Sequence, residues 1–280
     1  MIRLAHISDL HFSIIKLGFK DLFSKRFIGI LNLLINRKKN YSQKPLYSLH
    51  SLFETMDIDH VLISGDLTST SLNEEFIEAK NFVQKLNSYL IIPGNHDKYT
   101  KKSHKTNRFY NYFKTDDSLF SKNLKKDGIE IKELKDNWYY IGLDSCIATS
   151  YLSSSGYFSK KLEKDLLEVL ETMKDKKIII ANHFPLISNN SKRKTLHRKE
   201  ALIELIKKHP NVKLYLYGHT HNFSIKKEKD MPYMICPGCA CDINFGSFNI
   251  LEIENDILDI TTYKWLNQTW NINNKTTLNL

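Results

Sequence analysis

The residues of this sequence best suited to chemistry are Asn95, His96 and Asp97, which follow a Pro-Gly pair. The Pro-Gly pair comes directly after the apolar run 89–92, which predicts a buried strand that the pair ends. An amide, an imidazole and a carboxylate side by side can coordinate a metal ion or move a proton. A polar turn that only satisfies nearby backbone groups would have the same composition, so this motif alone decides nothing.

Four further turns of the same kind follow apolar strand candidates elsewhere in the chain. They carry, in chain order, Asp9 with His11, Asp66, His183, and His219 with His221. Because the carboxyl ends of parallel strands open at one edge of a sheet, we expect these side chains to converge there. Carboxylate, amide and imidazole ligands without thiolates suit Mn²⁺, Fe or Zn²⁺ better than Ca²⁺ or a structural zinc knot. Asp66 is best placed to bridge two metal ions.

The elements that must position these turns alternate between strand and helix. Apolar runs predict strands at 2–7, 59–64, 89–92, 177–181 and 212–217. Helical periodicity predicts helices at 46–56, 72–87, 160–174 and 196–209. Short turns between strand, helix and strand predict parallel pairing with right-handed crossovers. From residue 231 the pattern becomes β, and the Asn- and Thr-rich residues 266–280 are predicted to be a loose tail.

Composition favours one large α/β domain, which we expect to cover residues 1–265. Of 280 residues, 41% are hydrophobic and 11% are aromatic, which supports a sizeable core. Lys and Arg outnumber Asp and Glu by 41 to 31, and a formal charge of +10 favours an anionic partner. Neither a signal-peptide pattern nor a long apolar run is found, so we expect a cytoplasmic protein with reduced cysteines.

Taken together, the five turns resemble the signature of the calcineurin-like metallophosphoesterases. The matching motifs are Asp9-Leu10-His11, Gly65-Asp66, Gly94-Asn95-His96-Asp97, His183 and Gly218-His219-Thr220-His221. This resemblance covers about residues 2–250. It implies a four-layer α/β/β/α sandwich with a dinuclear metal site between two central sheets.

The resemblance also implies a role for each of these side chains. One metal ion would be held by Asp9, His11, Asp66 and His221. The second would be held by Asp66, Asn95, His183 and His219. His96 would stay free of metal and donate to a phosphate oxygen or leaving group, with Asp97 orienting it. The two divalent ions, for which Mn²⁺ is favoured over Fe or Zn²⁺, would activate a shared water and clamp the phosphate.

A basic and apolar segment, residues 14–45, separates the first motif from the second. Its large apolar residues recur at helical spacings of three and four, as an amphipathic helix requires. The segment either packs its apolar stripe on the domain or offers a basic-rimmed surface to lipid. Residues 23–39 resemble an insertion in a chlamydial-type subgroup of UDP-2,3-diacylglucosamine pyrophosphohydrolases of lipid A synthesis. Those enzymes cleave a UDP-linked lipid to UMP and a lipid monophosphate at the membrane surface.

This second resemblance implies a peripheral enzyme on the inner face of the cytoplasmic membrane, with a lipid-linked nucleotide substrate and an anionic membrane surface as partners. Phe23, Phe27 and Leu31 would contact acyl chains. Arg108 would bind the substrate anion from the basic stretch 98–120, a candidate lid.

Other functions explain part of the same pattern. A cyclic-nucleotide or broad-specificity phosphodiesterase explains the metal motifs equally well, but it leaves residues 14–45 without a role. A nuclease would use the positive charge, yet no DNA-binding appendage is evident, so nucleic acid is disfavoured as a partner. A binding module is disfavoured because every ligand position is filled. Cys236, Cys239 and Cys241 have the spacing of a metal knot, but no second cluster completes four ligands, so we interpret them as a turn.

Overall fold

The structure of this protein, a computed structural model, describes residues 1–15, 40–114, 119–150, 153–187 and 192–280. Most of the amphipathic segment 14–45 therefore lies outside the described residues, and so do Phe23, Phe27 and Leu31. Within the described ranges, no helix combines the length and apolar character that crossing a membrane requires.

Strands and short helices alternate along the described chain. The strands are β1 (Ile2–Ile7), β2 (His60–Ile63), β3 (Tyr89–Ile91), β4 (Ile129–Glu133), β5 (Trp138–Leu143), β6 (Gly156–Tyr157), β7 (Lys177–Asn182), β8 (Leu196–His197), β9 (Val212–Leu216), β10 (Phe223–Lys226), β11 (Tyr233–Pro237), β12 (Ser247–Glu254), β13 (Ile257–Leu266) and β14 (Thr269–Asn279). The helices are α1 (Lys44–Glu54), α2 (Asn73–Val83), α3 (Lys101–Lys105), α4 (Arg108–Tyr112), α5 (Leu124–Asp127), α6 (Lys160–Thr172) and α7 (Lys199–Lys207).

Two six-stranded sheets form the centre of the fold. Their strand orders are β14-β13-β12-β1-β2-β3 and β10-β11-β9-β7-β5-β4, while β6 and β8 pair with each other. Strands β1, β2 and β3 run parallel in the first sheet, and β5, β7, β9 and β11 run parallel in the second. Helices α1, α2, α6 and α7 connect successive parallel strands, as the strand and helix spacing in the sequence predicts.

The side chains of β7 show how the layers are stacked. Ile179 and Ala181 pack in one core cluster with the side chains of the first sheet, whereas Ile178 and Ile180 pack with those of α6 and α7. Successive side chains of a strand point to opposite faces, so the second sheet has the first sheet on one face and helices on the other. Helices α1 and α2 add their buried side chains to the cluster of the first sheet. The fold is the four-layer α/β/β/α sandwich that the family resemblance implies.

The structure corrects two of the predicted elements. The loose tail predicted at 266–280 is wrong, because residues 269–279 form the edge strand β14, which pairs antiparallel with β13. Most of its side chains are exposed on both faces, so the strand has no alternating apolar pattern to reveal it. The helix predicted at 196–209 begins only at Lys199, because Leu196 and His197 pair with β6.

The candidate lid at 98–120 contains α3 and α4. Phe109, Tyr110 and Phe113 of this stretch are buried in the core cluster of the first sheet. These aromatic side chains fasten α4 to the body of the protein.

Candidate metal centre and active site

The polar turns identified in the sequence lie at strand ends in both sheets. Asp9, Asp66 and Asn95 follow β1, β2 and β3 of the first sheet, while His183 and His219 follow β7 and β9 of the second. The prediction that all five turns open at the edge of a single parallel sheet is therefore wrong. The side chains nevertheless converge, because the two sheets pack with these strand ends next to each other.

Four of the predicted ligands form one compact group. One ligand atom from each of Asp9, His11, Asp66 and His221 lies within 4.8 Å of the others. His221 Nε2 is 3.1 Å from Asp9 Oδ1 and 3.2 Å from His11 Nε2, which in turn is 4.0 Å from Asp66 Oδ2. Two imidazole nitrogens and two carboxylates facing a common point are a donor set for a divalent cation.

The remaining predicted ligands form a second group on the other side of Asp66. His183 Nε2 is 3.3 Å from Asp66 Oδ2 and 3.2 Å from Asn95 Oδ1. His219 Nδ1 is 2.8 Å from the same Asn95 oxygen. Asp66 therefore lies between the two groups, in the place that a bridging carboxylate would take.

The space around the two carboxylates agrees with a metal site. Oδ1 of the fully buried Asp9 has no hydrogen-bond partner among the described residues, although the candidate ligand His221 lies close to it. A Cβ atom added at Gly94 would lie 2.2 Å from Asp66 Oδ1, and one added at Gly218 would lie 2.8 Å from Asp9 Oδ2. Glycine at both positions leaves room for the carboxylates, and the residues present fit a divalent ion.

The pKa values of the buried side chains in the cluster are strongly shifted by their neighbours. Burial would raise the pKa of Asp66, but the neighbouring His183 and His96 imidazoles hold that pKa well below its ordinary value. Burial would lower the pKa of His183, but the charge of Asp66 raises it to about 9. Buried carboxylates in such a cluster favour a positive charge nearby, which a bound cation would provide.

Most of the candidate ligands share an unusual backbone conformation. Asp9, His11, Asp66, His219 and His221 all have left-handed backbones, with φ of 55°, 44°, 55°, 68° and 57°. Asp and His adopt this region more readily than most other residues. Hydrogen bonds from Asp9 N to the Gly65 carbonyl and from His11 N to the Asp66 carbonyl, both 3.0 Å, join the first two turns. The chain thus turns tightly enough for residues two apart to face the same point.

His96 lies at the edge of the cluster and is partly exposed. Its Nδ1 is 2.6 Å from the Ser69 carbonyl, and its ring stacks on that of Tyr99 with centroids 5.1 Å apart. The backbone N–H of His96 donates to Asp66 Oδ1 at 2.7 Å. With Nδ1 donating to Ser69, Nε2 is the ring atom that can hold or release a proton in the cleft.

The structure corrects the role predicted for Asp97. Its carboxylate accepts hydrogen bonds from the backbone N–H groups of Gly94, Leu67 and Thr68 at 2.8, 3.2 and 2.9 Å. It ties the loop after β3 to the loop after β2, while the Ser69 carbonyl orients the His96 ring. Burial raises the pKa of Asp97 to about 7, and the nearby charge of Asp66 adds to this shift.

The segment after β5 supports the same turn from behind. The Lys98 ammonium forms an ion pair with Asp144 and lies 3.4 Å from the carbonyl oxygen of Cys146. The Cys146 thiol donates to the Pro93 carbonyl at 3.1 Å. Both ends of the turn that carries Asn95 are therefore fixed to residues 144–146.

An open cleft of about 420 Å³ lies over the cluster. Besides candidate ligands and His96, its described wall consists of Tyr41, Ser154, Lys194, Thr220 and Asn222. This wall is polar and carries one cation. Arg108 is not among the described residues that line it and donates through Nη1 to the Ser71 carbonyl, so its predicted contact with substrate stays a prediction.

Sequence reasoning missed several side chains of this site. Tyr41 and Tyr99 contact candidate site histidines, and Lys194 lines the cleft, yet none belongs to one of the five motifs. Only the position of Tyr99, two residues beyond Asp97, hinted at its place. The cysteine cluster lies at the end of β11, where the Cys239 thiol donates to the Asp9 carbonyl at 3.2 Å and supports that turn.

Known proteins resemble this chain in sequence and in fold. A probable cyclic nucleotide phosphodiesterase of Ruthia magnifica subsp. Calyptogena magnifica is 28% identical over 193 residues, covering 68% of this chain and 73% of that protein. The 3′,5′-cyclic adenosine monophosphate phosphodiesterase of Haemophilus influenzae is 26% identical over 225 residues, covering 79% of this chain and 70% of its own. A solved dimetal phosphatase from Danio rerio has the same fold, with a TM-score of 0.69 at 13% identity, covering 99% of this chain and 98% of that one.

The sequence pattern of a known family covers most of the chain. The family described as calcineurin-like phosphoesterase matches residues 2–223, a range that contains every predicted metal ligand and His96. Three observations support the same assignment: the family match, the sandwich fold and the cluster of Asp and His side chains. This chain belongs to the calcineurin-like phosphoesterase family and is a metal-dependent phosphoesterase.

Proposed function

We propose that this protein is a dinuclear phosphodiesterase that hydrolyses 3′,5′-cyclic nucleotides. The observation that carries the dinuclear part is the place of Asp66 Oδ2, which lies 4.0 Å from His11 Nε2 in one ligand group and 3.3 Å from His183 Nε2 in the other. The nature of the substrate is supported by the two relatives described above, both named as phosphodiesterases of cyclic nucleotides.

The residues of the cluster suit a displacement at phosphorus. Two divalent ions, when bound, lower the pKa of a shared water and neutralise charge on the phosphate. Asp9, His11, Asp66 and His221 would hold one ion, and Asp66, Asn95, His183 and His219 the other. Hydrolysis would replace the bond from phosphorus to one ribose oxygen by a bond from phosphorus to the oxygen of that water.

His96 would protonate the departing ribose oxygen. Its Nδ1 is bound to the Ser69 carbonyl, so the proton that can be transferred is the one on Nε2 of the imidazolium. The product is a nucleoside monophosphate, and the neutral ring regains a proton from solvent. The polar side chains of Ser154, Thr220 and Asn222 in the cleft wall offer hydrogen-bond partners for the ribose and base.

A second candidate follows from residues 14–45. Residues 23–39 resemble an insertion of UDP-2,3-diacylglucosamine pyrophosphohydrolases, and the basic and apolar composition of the segment suits a peripheral enzyme that binds an anionic membrane surface. Replacing Phe23, Phe27 and Leu31 by Ser would then reduce turnover of the lipid far more than turnover of bis(p-nitrophenyl) phosphate. Equal losses on both substrates would exclude a lipid-binding role for these side chains.

The decisive experiment is a comparison of substrates with the purified, Mn²⁺-loaded protein. We would measure kcat/KM for 3′,5′-cyclic AMP and for UDP-2,3-diacylglucosamine in detergent micelles, with Asp66→Ala as the metal-site control. Our proposal expects a clear preference for the cyclic nucleotide. A preference for the lipid would overturn it in favour of the second candidate. Activity on neither substrate would exclude both.

A further inference from the structure

Tyr41 contacts two of the side chains that would hold the same metal ion. Its hydroxyl oxygen is 2.6 Å from His221 Nδ1. Its ring stacks on that of His11, with centroids 5.5 Å apart and planes 9° from parallel. The backbone at this point is held by a bridge between Tyr41 and Asp242 and by a 2.9 Å hydrogen bond from Ser42 N to the Cys241 carbonyl. The phenol is therefore presented to the cluster by a fixed stretch of chain.

The chemistry of a metal-bound imidazole determines which atom donates in the contact between His221 and Tyr41. Nε2 is the His221 atom that faces Asp9 Oδ1 and His11 Nε2, so Nε2 is the nitrogen that would bind a cation. A neutral imidazole that binds through Nε2 carries its hydrogen on Nδ1. The phenol oxygen of Tyr41 is in place to accept that hydrogen. Such outer partners of metal-bound histidines fix the tautomer and the ring orientation, and they raise the basicity of the ligand.

The other ligand group has different outer partners. His183 Nδ1 is 2.8 Å from the Ser64 carbonyl, and His219 Nε2 is 3.2 Å from the Lys194 carbonyl. Backbone oxygens thus orient the imidazoles of that group, whereas a side-chain hydroxyl orients His221. A substitution of Tyr41 should therefore act on one metal ion and spare the other.

We infer that Tyr41 is a positioning residue for the metal ion held by Asp9, His11, Asp66 and His221. Its hydroxyl selects the Nε2-binding tautomer of His221, and its ring limits the orientation of His11. The inference rests on the proposed dinuclear centre and is independent of which phosphodiester the enzyme cleaves.

Calorimetric titration of the metal-free protein with Mn²⁺ tests this inference. Tyr41→Phe keeps the ring and its stacking on His11 but removes the acceptor oxygen. We expect affinity at one of two sites to fall about 10- to 100-fold while the other stays unchanged. The matched control is Tyr139→Phe, which removes a hydroxyl that donates to Glu133 at 3.0 Å and should change neither site. Tyr41→Leu removes both contacts and should weaken the same site at least as much.

Wild-type affinities at both sites in Tyr41→Phe would overturn the inference. Equal weakening of both sites would overturn it as well, because the hydroxyl would then act on the whole fold. Thermal unfolding of the metal-free variants verifies that each is folded before titration. The titration does not depend on any substrate, so a protein inactive on cyclic nucleotides would refute the proposed function while the role of Tyr41 would still be decided by metal affinity.

Discussion

Substituting Gly94 by Ala should disable the metal centre through one added methyl group. The new Cβ would lie 2.2 Å from both the backbone nitrogen and Oδ1 of Asp66, whereas ordinary contacts begin at 3.4 Å. Relief of this overlap requires a displacement of about 1.2 Å between the two residues. Gly94 does not have a left-handed backbone, so Ala is compatible with its conformation and the overlap alone causes the damage.

The size of the effect follows from what Asp66 does. Its carboxylate lies between the two ligand groups and also accepts the His96 N–H at 2.7 Å. A misplacement of about 1 Å can cost roughly 100-fold in rate, and overpacking a buried site costs about 1–3 kcal/mol of stability. We therefore expect kcat/KM on bis(p-nitrophenyl) phosphate to fall about 100-fold, with weakened Mn²⁺ binding at both sites, because Asp66 belongs to both.

Gly128→Ala is the matched control for a loss of stability alone. Gly128 ends α5 with φ of 75°, and a Cβ there would lie 3.4 Å from the Asp144 carbonyl oxygen without overlap, so strain in the backbone is the main cost. This variant should lose about 1 kcal/mol of its free energy of unfolding, and therefore unfold at a lower temperature, but it should keep its turnover. If Gly94→Ala lowers the unfolding temperature to a similar extent yet keeps metal affinity and kcat within twofold of wild type, our account of the crowding around Asp66 is refuted.

Three further outcomes can be checked with the same assays. His96→Ala should keep both metal ions in the Mn²⁺ titration while kcat falls about 100-fold or more, as for loss of a general acid; unchanged kcat would remove His96 from catalysis. His183→Ala, which deletes the imidazole 3.3 Å from Asp66, should lose one metal ion and the activity; retention of both ions would contradict its role as a ligand. Adding Mn²⁺ to the chelated protein at about 100 times Kd should stabilise it by about 2.7 kcal/mol per independent site, and an unchanged Tm would exclude a tight metal centre.

Local sequence patterns sufficed to predict the strands that carry the site. The runs that became β1, β2, β3, β7 and β9 are short and apolar, and each ends at a polar turn. The spacing of apolar residues and the residues that end a strand are properties of neighbouring positions in the chain. The strands could therefore be predicted without knowledge of the fold. The convergence of the distant turns could also be predicted, because the ends of paired and packed strands can be arranged in only a few ways.

Features that depend on long-range pairing were not readable in the same way. Residues 269–279 became a strand only because β13 offers an edge, and Trp270 packs edge-on against Phe248 there. Tyr41 reaches His221 through a pairing with Asp242, a contact across two hundred residues of chain. The role of Asp97 was misassigned because adjacency to His96 suggested a contact that the fold instead makes with the loop after β2.

The left-handed backbones explain why the turns carry Asp and His, and why two of the turns carry a pair of ligands two residues apart. A non-glycine residue in a sparsely populated backbone region costs about 1–3 kcal/mol, and five candidate ligands share such a φ. Asp and His tolerate this region better than β-branched residues do, and they are also the ligands that a divalent ion needs. Asp9 with His11 and His219 with His221 repeat the same solution, with two left-handed residues separated by one. The strands before these turns are paired within the two sheets, so the folded structure around each turn offsets the cost of these backbones.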